Sequence, residues 1–311
     1  MTLRESILKT IAFFDLFDFP LTTGDIKQYL YRYDRPLHIK EVQGTLKQMV
    51  DEGKLESIKD YFVLKNRTNL AETRKARKFI AEKYWNRVKL YSAWMQRMPF
   101  TRMIAVCNNL STDNVDEKSD IDLFIVAQPG HLWTARFFMT VLLHFFGVRR
   151  HGNHIAGRFC LSFFVTQNKL NIKELQLQPE DPYLAYWAQT LAPIYGEKTV
   201  EEFQKLNAPW LKENYGLSFL ESSKRHLYPL KESGFKRLCE WIFGHWFETL
   251  LKKTLKKKTL ESQQKLGPNA GVIVTDDILK FHNQDRRQEF LQKWKLKISQ
   301  SKLPPASHDT E

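Results

Sequence analysis

Cysteine is scarce in this chain: Cys107, Cys160 and Cys239 are the only three in 311 residues. Three scattered cysteines support neither a disulfide framework nor a four-ligand zinc site, so a reducing compartment is expected. A membrane-spanning run is also missing. The greasiest stretch, Phe137 to Val148, contains His144 and falls short of the roughly 20 apolar residues a bilayer requires. The first ten residues, MTLRESILKT, lack the basic-then-apolar layout of a secretion signal. These absences lead to the expectation of a cytoplasmic protein without membrane insertion. No internal repeat or low-complexity segment is present, and hydrophobic residues at 42% exclude general disorder.

Positive charge is plentiful but uneven. The formal net charge is +13. It divides into −1 over residues 1–64, +9 over 65–102, −4 over 103–127, +6 over 128–173, −4 over 174–220 and +7 over 221–311. Alternating blocks imply separate surfaces rather than a uniformly basic coat. No acid at all occurs in 128–173, while five fall in 103–127.

The expected fold is α+β in five parts: a module over 1–66, a basic connector helix over 67–99, a small mixed-sheet domain over 100–180, a helical region over 181–300 and a tail over 301–311. In the first part Ile7, Leu8, Ile11 and Phe14 recur at helical spacing, and the helix ends near Phe19-Pro20. Thr22 or Thr23 can cap a second helix carrying Ile26, Tyr29 and Leu30. A third runs from about Ile39 to Val50, and Leu55–Ile58 with Tyr61–Leu64 forms a hairpin. Three helices and a hairpin resemble a winged helix-turn-helix, which implies a third helix laid in a DNA groove. Lys40 and Lys47 on that helix are balanced by Glu41 and Asp51, so the module has little surplus cation for phosphate contacts. Docking or dimerisation remains open beside DNA binding.

The connector carries Ala76, Phe79, Ile80, Lys83, Val88, Tyr91 and Trp94 along one side, and Pro99 ends it. Its one-signed charge, from Arg67, Arg74, Lys75, Arg77, Lys78, Lys83, Arg87 and Lys89, is interleaved with Tyr84, Trp85, Tyr91 and Trp94. That composition fits either a solvated face or a surface that tracks a nucleic-acid backbone.

Residues 101–127 hold the most specific pattern. Thr101 to Cys107 reads as a buried strand, Asn108-Asn109-Leu110-Ser111 as a turn or short helix, and Ser119-Asp120-Ile121-Asp122-Leu123-Phe124-Ile125-Val126-Ala127 as a second strand. Alternation puts Asp120 and Asp122 on one side and sends Ile121 and Leu123 into the core. Two carboxylates so placed can hold divalent ions for phosphoryl chemistry. A strand, a turn, about ten residues and Asp-x-Asp at the head of the next strand resemble the nucleotidyltransferase superfamily of polymerase-β-like fold. The resemblance covers about 101–166.

What the resemblance implies is a nucleoside triphosphate (NTP) as substrate, Mg²⁺ or Mn²⁺ held by Asp120 and Asp122, and transfer of a nucleoside monophosphate to an acceptor hydroxyl of RNA, protein or a small molecule. Asn108 and Asn109 take the family's Gly-Ser positions. They join Ser119, Arg149, Arg150 and Arg158 as candidate phosphate contacts. The family's third acid is expected on the strand at Arg158–Thr166, which holds Ser162 and no carboxylate. A regulator that binds nucleotide or nucleic acid without turnover is therefore the competing reading.

His131 to Val148 fits a crossover helix between those strands. His151 and His154 have no third ligand at metal spacing, and Cys107 and Cys160 read as core residues. Farther on, helices are expected at Pro182–Leu191, Val200–Leu206, around 233–262 and at Arg286–Ile298. Trp241, Phe243, Trp246, Phe247, Leu250 and Leu251, followed by Lys252, Lys253 and Lys256–Lys258, fit a packed helix with a basic outer face or an amphipathic helix on a membrane surface. Thr275-Asp276-Asp277 reads as a helix N-cap.

Overall fold

The computed structural model describes residues 1–228, 233–256, 259, 261, 271–282 and 284–302. The first helix, α1 (Leu3–Phe14), starts where Thr2 and Glu5 close a capping box. A single 3₁₀ turn leads to the short strand β1 (Leu21–Thr22), and Thr22 with Asp25 caps α2 (Thr23–Gln28). α3 (Ile39–Asp51) buries Val42, Leu46 and Met49. The hairpin β2 (Glu56–Ile58) and β3 (Tyr61–Val63) follows, and β1 completes an antiparallel sheet of order β1-β3-β2. Lys40, Glu41, Gln43, Lys47 and Gln48 on α3 face solvent.

The connector is one helix, α4 (Leu70–Met95), but its buried stripe is not the expected one. Ala81, Trp85, Val88, Ser92 and Met95 are covered, whereas Ala76, Phe79, Lys83 and Trp94 are exposed. The helix packs on different neighbours at its two ends, so no single period runs its length. Its basic residues are also less free than the charge count implies. Arg67 pairs with Asp15 and Asp18, Arg74 with Asp25, and Arg77 with Asp18, which fastens the connector to the N-terminal module. Of the aromatics expected as stacking groups, Trp85 lies flat on His226 at 3.6 Å, while Tyr91 packs on Phe146 and Phe159. Tyr84 donates its hydroxyl to the carbonyls of Asp116 and Glu117. Only Trp94 of the four is exposed.

A six-stranded mixed sheet forms the centre. β4 (Thr101–Val106), the short α5 (Asn108–Ser111), β5 (Ile121–Ala127), α6 (Leu132–Phe145) and β6 (Phe159–Thr166) fall where the sequence predicts them. β5 and β6 are parallel, joined by α6 as crossover, and the other strand pairs are antiparallel. The order is β7-β4-β5-β6-β9-β8.

Three of those strands lie in the region expected to be mainly helical, so the sheet does not end at residue 180. α7 (Pro182–Thr190) leads into β7 (Ala192–Tyr195) and then α8 (Glu197–Tyr215), which runs on through Pro209. Gly196 permits the β7–α8 turn. It has φ +92°, and an added Cβ would lie 2.0 Å from the Arg102 carbonyl oxygen. α9 (Gly234–Ile242) and α10 (His245–Leu251) replace the single long helix expected around 233–262, with the break at Gly244. The hairpin β8 (Gly271–Val274) and β9 (Ile278–His282) adds the last two strands. Thr275-Asp276-Asp277 is therefore the hairpin turn, not a helix cap. The Thr275 hydroxyl accepts from the amides of Asp277 and Ile278, the same side-chain chemistry used in a different backbone context.

Asp276 pairs with Lys252 and Lys256, two of the lysines expected on an outer face. Phe243 and Phe247 pack on Phe138 and Phe137 of α6, while Trp241 and Trp246 stay exposed. Lys257 and Lys258 lie outside the described residues. The final helix, α11 (Arg287–Lys302), extends past the expected tail boundary, and 303–311 lie outside the described residues. No helix among the described residues is long and apolar enough to cross a membrane.

Two cores flank the sheet. One face, carrying Ile104, Val106, Ile121, Leu123 and Ile125, packs against α4, α6 and α10. The other carries Met103, Ala105, Cys107, Phe124, Val126 and Phe163, and shares one continuous core with α1, α2, α3, α7, α8 and α11. The N-terminal module therefore has no separate core.

Candidate functional site

Asp120 immediately precedes β5 and Asp122 lies within it, on the face shared with Phe124 and Val126. In the parallel ladder Asp122 stands opposite Cys160 of β6. A register shift follows between Asp122 and Phe124, and an irregularity of this kind re-aims side chains beside it. One ligand atom each from Asp120, Asp122 and Cys160 lies within 4.8 Å of the others, the only such group among the described residues.

The first carboxylate is held from one side by Arg150, whose Nη1 donates to Asp120 Oδ2 at 2.6 Å and approaches Cys160 Sγ at 3.7 Å. The second accepts from Asn108 Nδ2 at 2.8 Å. Asn108 has φ +57°, a left-handed conformation that asparagine adopts more readily than most residues, so the side chain can turn back toward β5. Burial, and then the charge of Asp120, push the Asp122 carboxyl up to about 6. Cys160 is pushed up to about 12, by burial first and by Asp122 second, which keeps it a neutral thiol.

Other residues expected at the site serve elsewhere. The Asn109 side chain is exposed, and its carbonyl accepts from the Asn114 amide. The Ser119 hydroxyl donates to Asp116 and accepts from the Asp116 amide, a local loop closure. Arg158 donates to the Gly147 carbonyl beyond α6. Arg149 forms an isolated parallel bridge with Phe159, and its charge adds to the burial that lowers the pKa of the half-buried Arg136, which lies against Phe164 and Phe281 on the opposite face of the sheet. Of the eight expected residues, the structure thus brings together Asp120, Asp122, Asn108 and Arg150.

Beside this group is a cavity of about 260 Å³ that no motif marks. Asn108, Phe163, Tyr183, Trp187, Lys280, Asp285 and Phe290 are among the residues that line it. The Tyr183 and Phe290 rings stack at 5.5 Å and 12°. Burial, and then the charge of Asp122, push the Tyr183 hydroxyl up, so it stays a neutral donor near the acid pair. Cys160 and Lys280 were missed by sequence reasoning: one looks like a core residue, and the other sits on a strand that only the Ile278-Leu279-Lys280-Phe281 pattern signals.

Compared with protein-family models, with curated proteins and with solved structures, the chain gives no match in any of the three.

Proposed function

We propose that the protein is a metal-dependent nucleotidyltransferase of polymerase-β-like fold, with a winged-helix-like module at residues 1–66. It would transfer a nucleoside monophosphate from an NTP to an acceptor hydroxyl. The observation that supports this reading is the convergence of Asp120 and Asp122 at the head of β5, beside a left-handed turn at Asn108. The two carboxylates suit a hard divalent cation: their oxygens lie within 4.8 Å of each other and of the Cys160 sulfur, which as a neutral thiol adds no ligand for such an ion, and the burial and mutual repulsion that raise Asp122 are relieved by positive charge. Mg²⁺ or Mn²⁺ bound there would supply charge stabilisation to a phosphoryl group.

The chain's own residues do the rest. Asn108 orients Asp122 through its amide, and Arg150 is within reach of the same ligand space, where it can exchange Asp120 for a phosphate oxygen. No carboxylate on β6 faces the pair, so proton removal from the acceptor is left to Asp122 or to solvent. For the N-terminal module, the exposed α3 face is charge-balanced, while α1 buries most of its length, and α2 its Ile26, in the core shared with the sheet. This supports a structural or docking role over DNA reading.

Incubation with α-labelled NTPs, Mg²⁺ or Mn²⁺ and pooled RNA and protein acceptors tests the proposal. Label transfer that disappears in Asp120→Asn and Asp122→Asn is the expected result; no transfer under any metal or acceptor, with nucleotide binding retained, refutes it. A second reading, a nucleotide-binding regulator without turnover, is favoured by one specific observation. Both carboxylates already have hydrogen-bond donors from the chain, and the β6 residue beside them is a thiol.

A further inference from the structure

The helices that cover the sheet face opposite the acid pair carry apolar side chains on their outer sides as well as their inner ones. On α4, Trp85, Val88 and Met95 are buried, yet Leu90 and Trp94, four residues apart, are exposed. On α6, Met139 and Leu143 are buried, while Val141 and Phe145, also four apart, face solvent, with Phe145 82% exposed. Where α9 gives way to α10, Trp241 is 82% exposed, and Ile242, Trp246 and Leu250 follow at four-residue intervals, all exposed. A helix on the surface of a globular protein ordinarily gives that side to polar residues.

These outward side chains form one face. Half-buried rings join them: Phe146 lies 5.6 Å from Trp94 and 5.4 Å from Phe145, and Phe243 lies 5.2 Å from Phe138 of α6 and 6.5 Å from Trp246. Phe138, Val141 and Phe145 share one side of α6 by their spacing, so the surface runs from α4 across α6 to α10. An exposed apolar patch of this extent marks an interaction surface.

Its charge indicates the partner. No acid occurs in residues 83–112 or 128–173. The two in 234–256 are occupied: Glu240 pairs with Arg102, and Glu248 is buried on the amides of Trp133 and Thr134. Lys89 of α4 and Lys253, just past α10, are exposed cations. A second copy of this chain is a poor fit, because a two-fold contact sets the same cations against each other. Leu90, Val141, Ile242 and Leu250 offer nothing for a nucleic-acid base to stack on. Side chains as exposed as Phe145 and Trp241 stand out from the surface instead of lining a groove, which suits insertion among lipid tails.

We propose that this face lies on the surface of an anionic lipid bilayer, with Trp94, Phe145, Trp241 and Trp246 at the boundary of headgroups and acyl chains and Lys89 and Lys253 against lipid phosphates. The chain rests on the bilayer and does not cross it. Asp122 is on the other face of the sheet, so adsorption leaves the acid pair uncovered by lipid, and the contact does not depend on whether that pair catalyses transfer.

The test is co-sedimentation of the full chain with vesicles of phosphatidylcholine, alone or with about one-third phosphatidylglycerol. Wild type is expected to bind the anionic vesicles at least tenfold more tightly than the neutral ones, and to be released by high salt. Phe145→Ala combined with Trp241→Ala is expected to weaken binding at least tenfold. Lys89→Gln combined with Lys253→Gln should weaken it by roughly fivefold per lysine. All four side chains are exposed, so both double variants should melt with wild type. Wild type that stays in the supernatant with anionic vesicles overturns the proposal, as does a folded aromatic double variant that binds within twofold of wild type. Equal binding to the two kinds of vesicle overturns the anionic assignment. A wild-type dimer in solution that the aromatic variant converts to a monomer gives the face to a second copy. Binding of a single-stranded oligonucleotide that the aromatic variant loses gives it to nucleic acid. Either of these two results overturns the lipid reading.

Discussion

Replacing Asp122 with asparagine should make the metal-free protein more stable, and the gain should grow with pH. Burial and the neighbouring Asp120 hold the Asp122 carboxyl at about 6, against an ordinary value of 3.8. The folded state therefore binds this proton more tightly than the unfolded chain does. Its contribution is fully present below about pH 4 and is lost as pH rises through about 6. At 1.36 kcal/mol per pH unit the difference is at most about 3 kcal/mol, and water reaching the half-buried carboxylate reduces it toward about 1 kcal/mol. Asparagine keeps an oxygen for Asn108 Nδ2 and removes the charge. Urea unfolding in EDTA at pH 4.5 and pH 8 measures the gap between variant and wild type. The expectation is near-equality at pH 4.5 and a variant more stable by about 1–3 kcal/mol at pH 8. A gap of one size at both pH values, or a less stable variant at pH 8, refutes the argument that ionised Asp122 is held against its preference.

Three further outcomes follow from the packing. Glu248 accepts from the amides of Trp133 and Thr134 and from the Thr134 hydroxyl, so it caps α6 from another helix; Glu248→Ala should cost about 2–3 kcal/mol in urea unfolding. Buried Asp15 accepts from Arg67 and Lys297, and Arg67→Met should destabilise the fold by about 2–3 kcal/mol because the carboxylate keeps one partner only. Gly196→Ala places a methyl group 2.0 Å from the Arg102 carbonyl at a positive φ, and should yield little folded protein, measurable as soluble yield and loss of cooperative melting.

The elements legible in the sequence are those whose signals are local. Alternation around Asp120–Ala127, the apolar crossover at α6 and the threonine caps of the N-terminal helices each depend on neighbours a few residues away. The missed pieces depend on distant partners. β7 is four residues long and becomes a strand by pairing with β4. The β8–β9 hairpin is identified by β6, more than a hundred residues earlier. At the site, Asp120 and Asp122 could be found because two carboxylates two apart on a strand share a face. Cys160 and Lys280 could not, since their places come from a parallel register and from a strand, β9, that joins the sheet beside β6 from far along the chain. Arg149, Ser119 and Arg158 show the limit of charge counting: proximity in sequence to an acid pair did not bring them to it.

The shared core beneath the acid pair has a consequence for how the chain matures. Phe13 of α1 packs edge-on against Trp294 of α11, and the Trp294 indole donates to the Lys9 carbonyl, 285 residues away in sequence. At roughly 5–20 residues per second, translation takes on the order of 15–60 s to carry the chain from one partner to the other. Throughout that interval the apolar side of α1 lacks its final cover, so a growing chain passes through an extended period of exposed aromatic surface. The aromatic pair beside the Asn108 turn likewise forms only when α11 arrives and seats Phe290 on Tyr183.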